Sequence, residues 1–321
     1  MASLNRPRLQ WPLNMCDQDA GLETGLRGQS AEQHVPSHLL VFGNGYTGRA
    51  VAIQAASLGW DVTLTSRTPN GAPPHLRLVS FDTAHVAHAT HVLSTVAPDP
   101  SSGGDPVLAR HGAALAASTA LRWAGYLSST GVYGDRGGAW VDEDTLPAPT
   151  GPRGTVRFAC EQEWAKLASQ AAVDLFRVGG IYGPGRSPLN DVRAGTARRI
   201  LKPGHAFGRI HRDDIVQAVL AAAAQSRPPG VRVLNLNDDE PAENAAVVEE
   251  AARLLGAPPP PAVPFEEALQ RMTAIGRSFW AENRKVASRK TQAALGIAWR
   301  YPTYREGLRA ILLEECEQRS P

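Results

Sequence analysis

Three glycines mark the stretch of this chain whose residue types and spacing could do chemistry. In VFGNGYTGRA, Gly43, Gly45 and Gly48 make a G-x-G-x-x-G pattern between an apolar run, HLLVFG, and a helical stretch, RAVAIQAASLG. Glycines so spaced allow a tight turn, close approach of backbone to a pyrophosphate, and close packing of helix on strand. The helix start then presents unpaired N–H groups to phosphate oxygens. The pattern predicts a dinucleotide site lined by Gly43, Asn44, Gly45, Tyr46, Thr47 and Gly48, with a merely structural glycine turn as the alternative.

The second strand, DVTLTS, discriminates between dinucleotides. An NAD site needs Asp or Glu at its end to accept from the ribose 2′-hydroxyl. Thr65, Ser66 and Arg67 stand there, and Asp61 is at the wrong end of the strand. A small hydroxyl followed by a guanidinium suits a 2′-phosphate, so Ser66 and Arg67 favour NADP over NAD. The alternative for Arg67 is a solvated loop residue. Asp82, closing the third strand, is placed to reach the adenine or to cap a turn.

Those residues require a scaffold that gathers strand ends. LRLVSFD, THVLSTVA, GYLSS, VDLFRVGG and VRVLNL read as further strands alternating with helices. Asp105 reads as an N-cap with Pro106 at the first helical position, opening a long helix through VLARHGAALAASTALRW. Further helices are predicted over about Thr155–Ser169, across DDIVQAVLAAAAQS, and around Glu243–Leu255. This alternation implies a parallel sheet covered on both faces, and right-handed crossovers make it doubly wound. The expected fold is α/β: a Rossmann-type doubly wound parallel sheet with a small C-terminal lobe on the substrate side.

The Rossmann domain is expected over residues 37–180 and about 205–255, and the smaller lobe over about 181–204 and 256–321. GAPPPPAVP is a stiff linker, and YPTYREGLRAILLEE should cap the sheet's carboxyl edge. Residues 1–36 have no helical or alternating period and no apolar signal core, so they read as a disordered tail, and either Met1 or Met15 can be the start.

Composition excludes several function classes. The 321 residues carry 33 basic and 31 acidic side chains without a basic block, which argues against a nucleic-acid partner. Apolar runs fall short of the roughly 18 residues that span a bilayer, so no membrane partner is expected. Cys16, Cys160 and Cys316 are too scattered for a disulfide framework or zinc site, which suits the cytoplasm. His85, His88 and His91 recur every third residue but have only Asp82 as a nearby ligand type, and they read as surface rather than metal site. Cys160, with Val156 and Trp164 one turn to either side, reads as core packing.

Three longer stretches carry a resemblance. YLSSTGVYGD (126–135), LFRVGGIYGPGR (175–186) and RIHRDDIVQAV (209–219) resemble the strand-five, strand-six and later helix-start motifs of the extended and atypical short-chain dehydrogenase/reductases, the NAD-dependent epimerase/dehydratase group. The likeness runs from about Leu39 to Leu312, with Phe42 where typical extended members have their first glycine. It implies an oxidoreductase or epimerase acting on a small-molecule substrate at the sheet's carboxyl edge. A homodimer through helices flanking the sheet follows by family analogy. Ser129 matches the serine or threonine that hydrogen-bonds substrate in the family; the alternative is a serine satisfying backbone in a turn.

In the family a tyrosine hydroxyl is the general acid/base, and a lysine four residues on, on the same helix face, lowers its pKa and holds the nicotinamide ribose. In TGPRGTVRFACEQEW (150–164), Arg153 falls at the tyrosine position and Arg157 at the lysine position. Arginine can imitate the lysine's charge, but it hardly releases a proton and cannot imitate the tyrosine. Three repairs are open. Tyr133, Tyr182 or His211 supplies the proton; Arg153 and Arg157 clamp an anionic substrate while water carries the proton; or no hydride chemistry occurs. Arg157 can also form an ordinary helix-surface pair with Glu161.

Two functions therefore stand. The first is an NADP-dependent oxidoreductase or epimerase-like enzyme for a small polar or anionic metabolite, with Ser129, Arg153 and Arg157 in its active site. The second is a catalytically silent NADP(H)-binding redox sensor or interaction protein. The missing tyrosine favours the second, and the retained Ser129 motif favours the first.

Overall fold

Near-continuous apolar runs place strands in this chain with both faces buried. The structure, a computed structural model, describes residues 37–73, 76–99 and 101–319. The tail expected over residues 1–36, with both candidate starts and Cys16, lies outside them.

The strands are β1 (His38–Phe42), β2 (Asp61–Ser66), β3 (Arg77–Ser80), β4 (His91–Ser94), β5 (Trp123–Ser129), β6 (Trp140–Val141) and β7 (Ala172–Val178). Then come β8 (Gly180–Tyr182), β9 (Arg199–Leu201), β10 (Arg209–His211), β11 (Gly230–Leu236), β12 (Ala262–Pro264) and β13 (Lys285–Val286). The helices are α1 (Tyr46–Ser57), α2 (Pro106–Ala116), α3 (Pro152–Ala165), α4 (Pro188–Arg193) and α5 (Arg212–Ala223). They continue with α6 (Asn244–Leu254), α7 (Phe265–Gln270), α8 (Ala274–Trp280), α9 (Arg289–Leu295) and α10 (Tyr304–Arg319).

Seven strands lie in the order β11-β7-β5-β4-β1-β2-β3, every neighbouring pair parallel. The remaining strands pair in parallel as β8 with β10, β9 with β12, and β6 with β13. Period-two alternation sends Leu39 and Val41 to one face of β1 and Leu40 and Phe42 to the other. On the first face they meet Val51 and Ala55 of α1 and Ile215 and Val219 of α5; on the second, Val107 and Leu115 of α2 and Cys160 and Trp164 of α3. Each large side chain so buried contributes on the order of 1.5–3 kcal/mol. All of β7 is buried, as a central parallel strand must be.

Local signals set the helix ends. The Asp105 carboxylate accepts from the backbone N–H of Val107 (2.9 Å) and Leu108 (3.0 Å), with Pro106 following it. Its other oxygen accepts from Trp164 Nε1 at 3.0 Å, so one residue caps α2 and ties it to α3. α2 stops at Ala116, short of the expected run to Trp123, because Trp123 is recruited into β5 opposite His91. α3 begins at Pro152, three residues before the expected start, since proline suits the first helical position. Arg153 and Arg157 therefore both lie on it.

The register lines up the strand ends: Phe42 with Thr65 and Ser94, Ser129 with Val178, and Val178 with Leu236. The order in which strands are added reverses at β1, between β2 and β4, and ligands of such sheets bind at that switch point. α10 packs Tyr304, Leu308 and Ile311 against Tyr182 of β8, Leu189 of α4 and Val247 of α6, just beyond the carboxyl edge. Among the described residues no helix is long and apolar enough to cross a membrane.

Candidate functional site

The loop after β1 is closed by backbone. Gly43 has φ +110, a conformation that favours glycine, and a Cβ there would lie 2.5 Å from Thr95 Oγ1. A Cβ on Gly48 would lie 2.1 Å from the Gly43 carbonyl oxygen. The Thr95 hydroxyl donates to the carbonyls of Phe42 (3.0 Å) and Gly43 (3.3 Å), and Gly43 N–H donates to Thr65 Oγ1 (3.2 Å). Gly45, the N-cap of α1, is the opposite case: nothing lies within 4 Å of a Cβ built there. The first N–H groups of α1 have no intrahelical acceptor. Asn44 Oδ1 is buried without a hydrogen-bond partner. A loop shut at Gly43 and Gly48, open at Gly45 and lined by free donors fits a dinucleotide pyrophosphate.

Tyr46 ties this loop to a distant turn. Its hydroxyl donates to Pro184 O at 3.0 Å, and its ring lies under the guanidiniums of Arg186 (5.7 Å) and Arg212 (5.2 Å). Burial pushes its pKa up. Thr47 is buried. At the end of β2, the Ser66 hydroxyl turns to Thr68 O (3.0 Å), and Arg67 is exposed. Asp82 is exposed beyond β3, with its carboxylate 4.0 Å from Arg110 Nε and its carbonyl accepting from Arg110 Nη2 at 3.0 Å.

The corner after β5 is assembled from side chains. Ser129 Oγ accepts from Gly131 N–H at 3.1 Å, capping a 3-10 turn over Thr130–Tyr133. Next to it, Ser128 Oγ donates to Glu161 Oε1 at 2.5 Å. Glu161 is buried on α3 and receives both Arg177 Nε (3.1 Å) and Nη2 (2.8 Å). That corrects its reading as a helix-surface partner of Arg157. Arg177 lies 4.7 Å over the Tyr133 ring, whose hydroxyl donates to Asn235 Oδ1 at 2.8 Å. A buried pair so fully hydrogen-bonded keeps its charges satisfied.

α3 is pressed onto this turn: a Cβ on Gly154 would lie 2.6 Å from Gly131 O, so the contact requires glycine. Arg157 Nη1 donates to Tyr126 Oη (3.0 Å) and Leu127 O (3.1 Å), laying its side chain along the end of β5. Arg153 is exposed, with its guanidinium 4.7 Å over the Phe279 ring.

The three proton donors considered from sequence are occupied or remote. Tyr133 and Tyr182 are buried with their pKa values pushed up by desolvation, and their hydroxyls point to Asn235 and Thr303. His211 is buried, which lowers its pKa to about 4 and leaves it neutral. Its Nδ1 accepts from Asp213 N–H at 3.2 Å, and its Nε2 lies on the Gly183–Tyr46 side rather than in the α3 corner. His85 and His88 are exposed, whereas His91 packs under Trp60. Among the described residues no group of three His, Cys, Asp or Glu is placed to hold a metal ion. Cys160 is buried between α2 and α3, and burial raises its thiol pKa.

Two side chains complete the corner without any sequence signal. Arg284 Nη1 donates to Glu282 Oε2 (2.6 Å) and to Gly134 O (2.9 Å), and the pair is about 15% and 14% exposed. Glu282 Oε1 accepts from the Thr150 hydroxyl at 2.8 Å. The position a Cβ on Gly131 would take lies 3.4 Å from Ser129 Oγ and 3.9 Å from Arg284 Nη2. The β6–β13 pairing carries Arg284 there, which no spacing in the sequence could announce.

No family model matches the chain. A functionally unknown conserved protein from Silicibacter pomeroyi DSS is 42% identical, with TM-score 0.79; the match covers 87% of this chain and 99% of that one. The chain belongs to the same family. Protein YeeZ of Escherichia coli K12 is 27% identical over 214 residues, 61% of this chain and 76% of YeeZ. More distant structures share the fold. MoeE5 in complex with UDP-glucose and NAD is 23% identical with TM-score 0.69, over 88% of this chain and all of that one. A human epimerase family protein with NADPH is 18% identical with TM-score 0.68, over 85% and 98%. What the chain shares with these two proteins is the fold, a parallel sheet covered by helices on both faces.

Proposed function

We propose that the chain is an NADP-dependent oxidoreductase or epimerase-like enzyme of atypical short-chain type, acting on a small polar or anionic metabolite. The observation that carries this reading is the glycine loop, closed at Gly43 and Gly48 and open only at Gly45. Its residues, with the α1 N-terminus, would hold the pyrophosphate, and Ser66 and Arg67 the 2′-phosphate. Fold relatives are bound to NAD in one case and NADPH in another, so the preference for NADP rests on Arg67. When bound, the nicotinamide supplies hydride transfer. The Ser129 hydroxyl would hold a substrate oxygen at the end of β5, while Arg157, tied to Tyr126 and Leu127, braces that strand end. Residues 37–180 and about 205–255 would serve the cofactor, and about 181–204 and 256–321 the substrate side, in a cytoplasmic protein.

A second reading, a silent NADP(H)-binding sensor, is favoured by one feature: arginine stands where a proton donor is needed. Fluorescence titration with NADPH and NADH tests the cofactor. NADPH should bind at least about tenfold tighter, as a bidentate Arg67–phosphate contact implies. Binding of neither nucleotide would end the proposal. Turnover of NADPH with a panel of aldehydes, keto acids and sugars then separates the readings. Ser129→Ala should lower turnover about 100-fold with NADPH affinity kept, whereas a sensor shows no turnover in either protein.

A further inference from the structure

We infer that Arg284 is the specificity residue of this site: it binds an anionic group of the substrate, a carboxylate or a phosphate, beside Ser129. The inference rests on the proposed substrate site and names the group that site selects.

The guanidinium is held in one orientation. Nη1 is taken by Gly134 O and by Glu282, and Glu282 is itself fixed by the Thr150 hydroxyl. Nη2 is the nitrogen turned toward Gly131: the place a Cβ on Gly131 would take is 3.9 Å from Nη2 and 3.4 Å from Ser129 Oγ, so the side-chain face of Gly131 opens on a space that both groups line. That same point is 4.0 Å from Gly154 Cα, in the first turn of α3, where backbone N–H groups lack intrahelical acceptors and the helix field favours negative charge. A planar fork with Nη1 anchored and Nη2 lining the same space as a serine hydroxyl suits carboxylate or phosphate oxygens. Because the guanidinium is a rigid plane, the tie of Nη1 to Gly134 and Glu282 also fixes Nη2 in its place beside Gly131. Arg153 and Arg157 do not compete for the role. One lies at the exposed rim over Phe279 and the other is spent on Tyr126 and Leu127.

The test is calorimetric titration of the full chain with malonate and, separately, inorganic phosphate, each with and without NADPH, and with uncharged malonamide as control. At least one anion should bind and malonamide should not. Arg284→Met should weaken that binding about tenfold or more while leaving NADPH affinity within about twofold. Arg284→Lys, which keeps the charge and loses the fork, should fall between. Malonate binding alone assigns a carboxylate, and phosphate binding alone assigns a phosphate. Equal anion affinity in wild type and Arg284→Met, or no binding of either anion by wild type, overturns the inference. Because the anion is also titrated without NADPH, a failure of nucleotide binding would be read separately. If Arg284→Met lowers the urea midpoint, the Arg284→Lys titration decides.

Discussion

The loop after β1 and the corner after β5 stand at the same sheet edge and are held by different means. The loop is backbone against backbone: Gly48 on Gly43, with Thr65 and Thr95 from the neighbouring strand ends as pins. The corner shares one such backbone contact, Gly154 on Gly131, but is otherwise side chain against side chain, drawing Glu161 from α3, Arg177 from β7, Asn235 from β11 and Arg284 from beyond α8. A site made of backbone tolerates almost no added atom. A site made of imported side chains can exchange one chemistry for another while its frame persists. Arg153, exposed over Phe279, and Arg157, tied to Tyr126 and Leu127, show that latitude: both stand on α3 within a fold shared with structures bound to NAD and to NADPH.

The largest effect should come from the corner's buried pair. Glu161→Gln leaves the Arg177 charge buried without its counter-ion, and unpairing a buried charge costs about 3–5 kcal/mol. Urea unfolding should show that loss with an unchanged slope. A loss under about 1 kcal/mol would mean the corner is carried by packing instead. Gly48→Ala probes the other side of the comparison. Its new methyl meets a backbone oxygen, so the loop must open; overpacking costs about 1–3 kcal/mol, which here should appear as a loss of up to about 100-fold in NADPH affinity. Wild-type affinity in Gly48→Ala would show that the nucleotide is held elsewhere.

The same contrast decides what could be read from the sequence. The glycine loop, the order of strands and helices, the Asp105–Pro106 helix start and the burial of Cys160 are local, so spacing and residue type announce them. The burial of Glu161 is not legible from its i, i+4 spacing to Arg157, which says which side chains can meet on a helix and not which face is buried. The alanine-rich run carries helix propensity past Ala116, so the end of α2 is not legible from it; the chain leaves the helix at Ala117 and pairs Trp123 with His91. Arg284 and Glu282 had no signal at all. They reach Gly134 and Thr150 from more than 130 positions away, through strand pairings that no periodicity encodes.

A later stretch of the chain has a fastening of its own, and it sharpens the comparison through pH. Asp214, buried in the first turn of α5, accepts from the backbone N–H of Arg300 (2.7 Å) and Tyr301 (3.1 Å), pinning the chain between α9 and α10. Desolvation raises its pKa from 3.8 to about 6, outweighing those two hydrogen bonds and the charge of Arg300, which favour the ionised form. A carboxyl with a raised native pKa binds its proton more tightly folded than unfolded. Its contribution to stability is therefore complete below about pH 4 and is lost as pH rises through 6. Relative to Asp214→Asn, the wild type should gain stability on acidification from pH 7.5 to 4.5, by at most about 3 kcal/mol. His211 next to it titrates in the opposite sense, its pKa lowered to about 4, but it is present in both proteins and cancels in the difference. A difference that stays flat with pH would mean Asp214 is ionised throughout, holding Arg300 and Tyr301 as a charge. The stretch between α9 and α10 would then be fastened by charge, as the Glu161–Arg177 pair fastens the corner, while the glycine loop would remain a matter of shape.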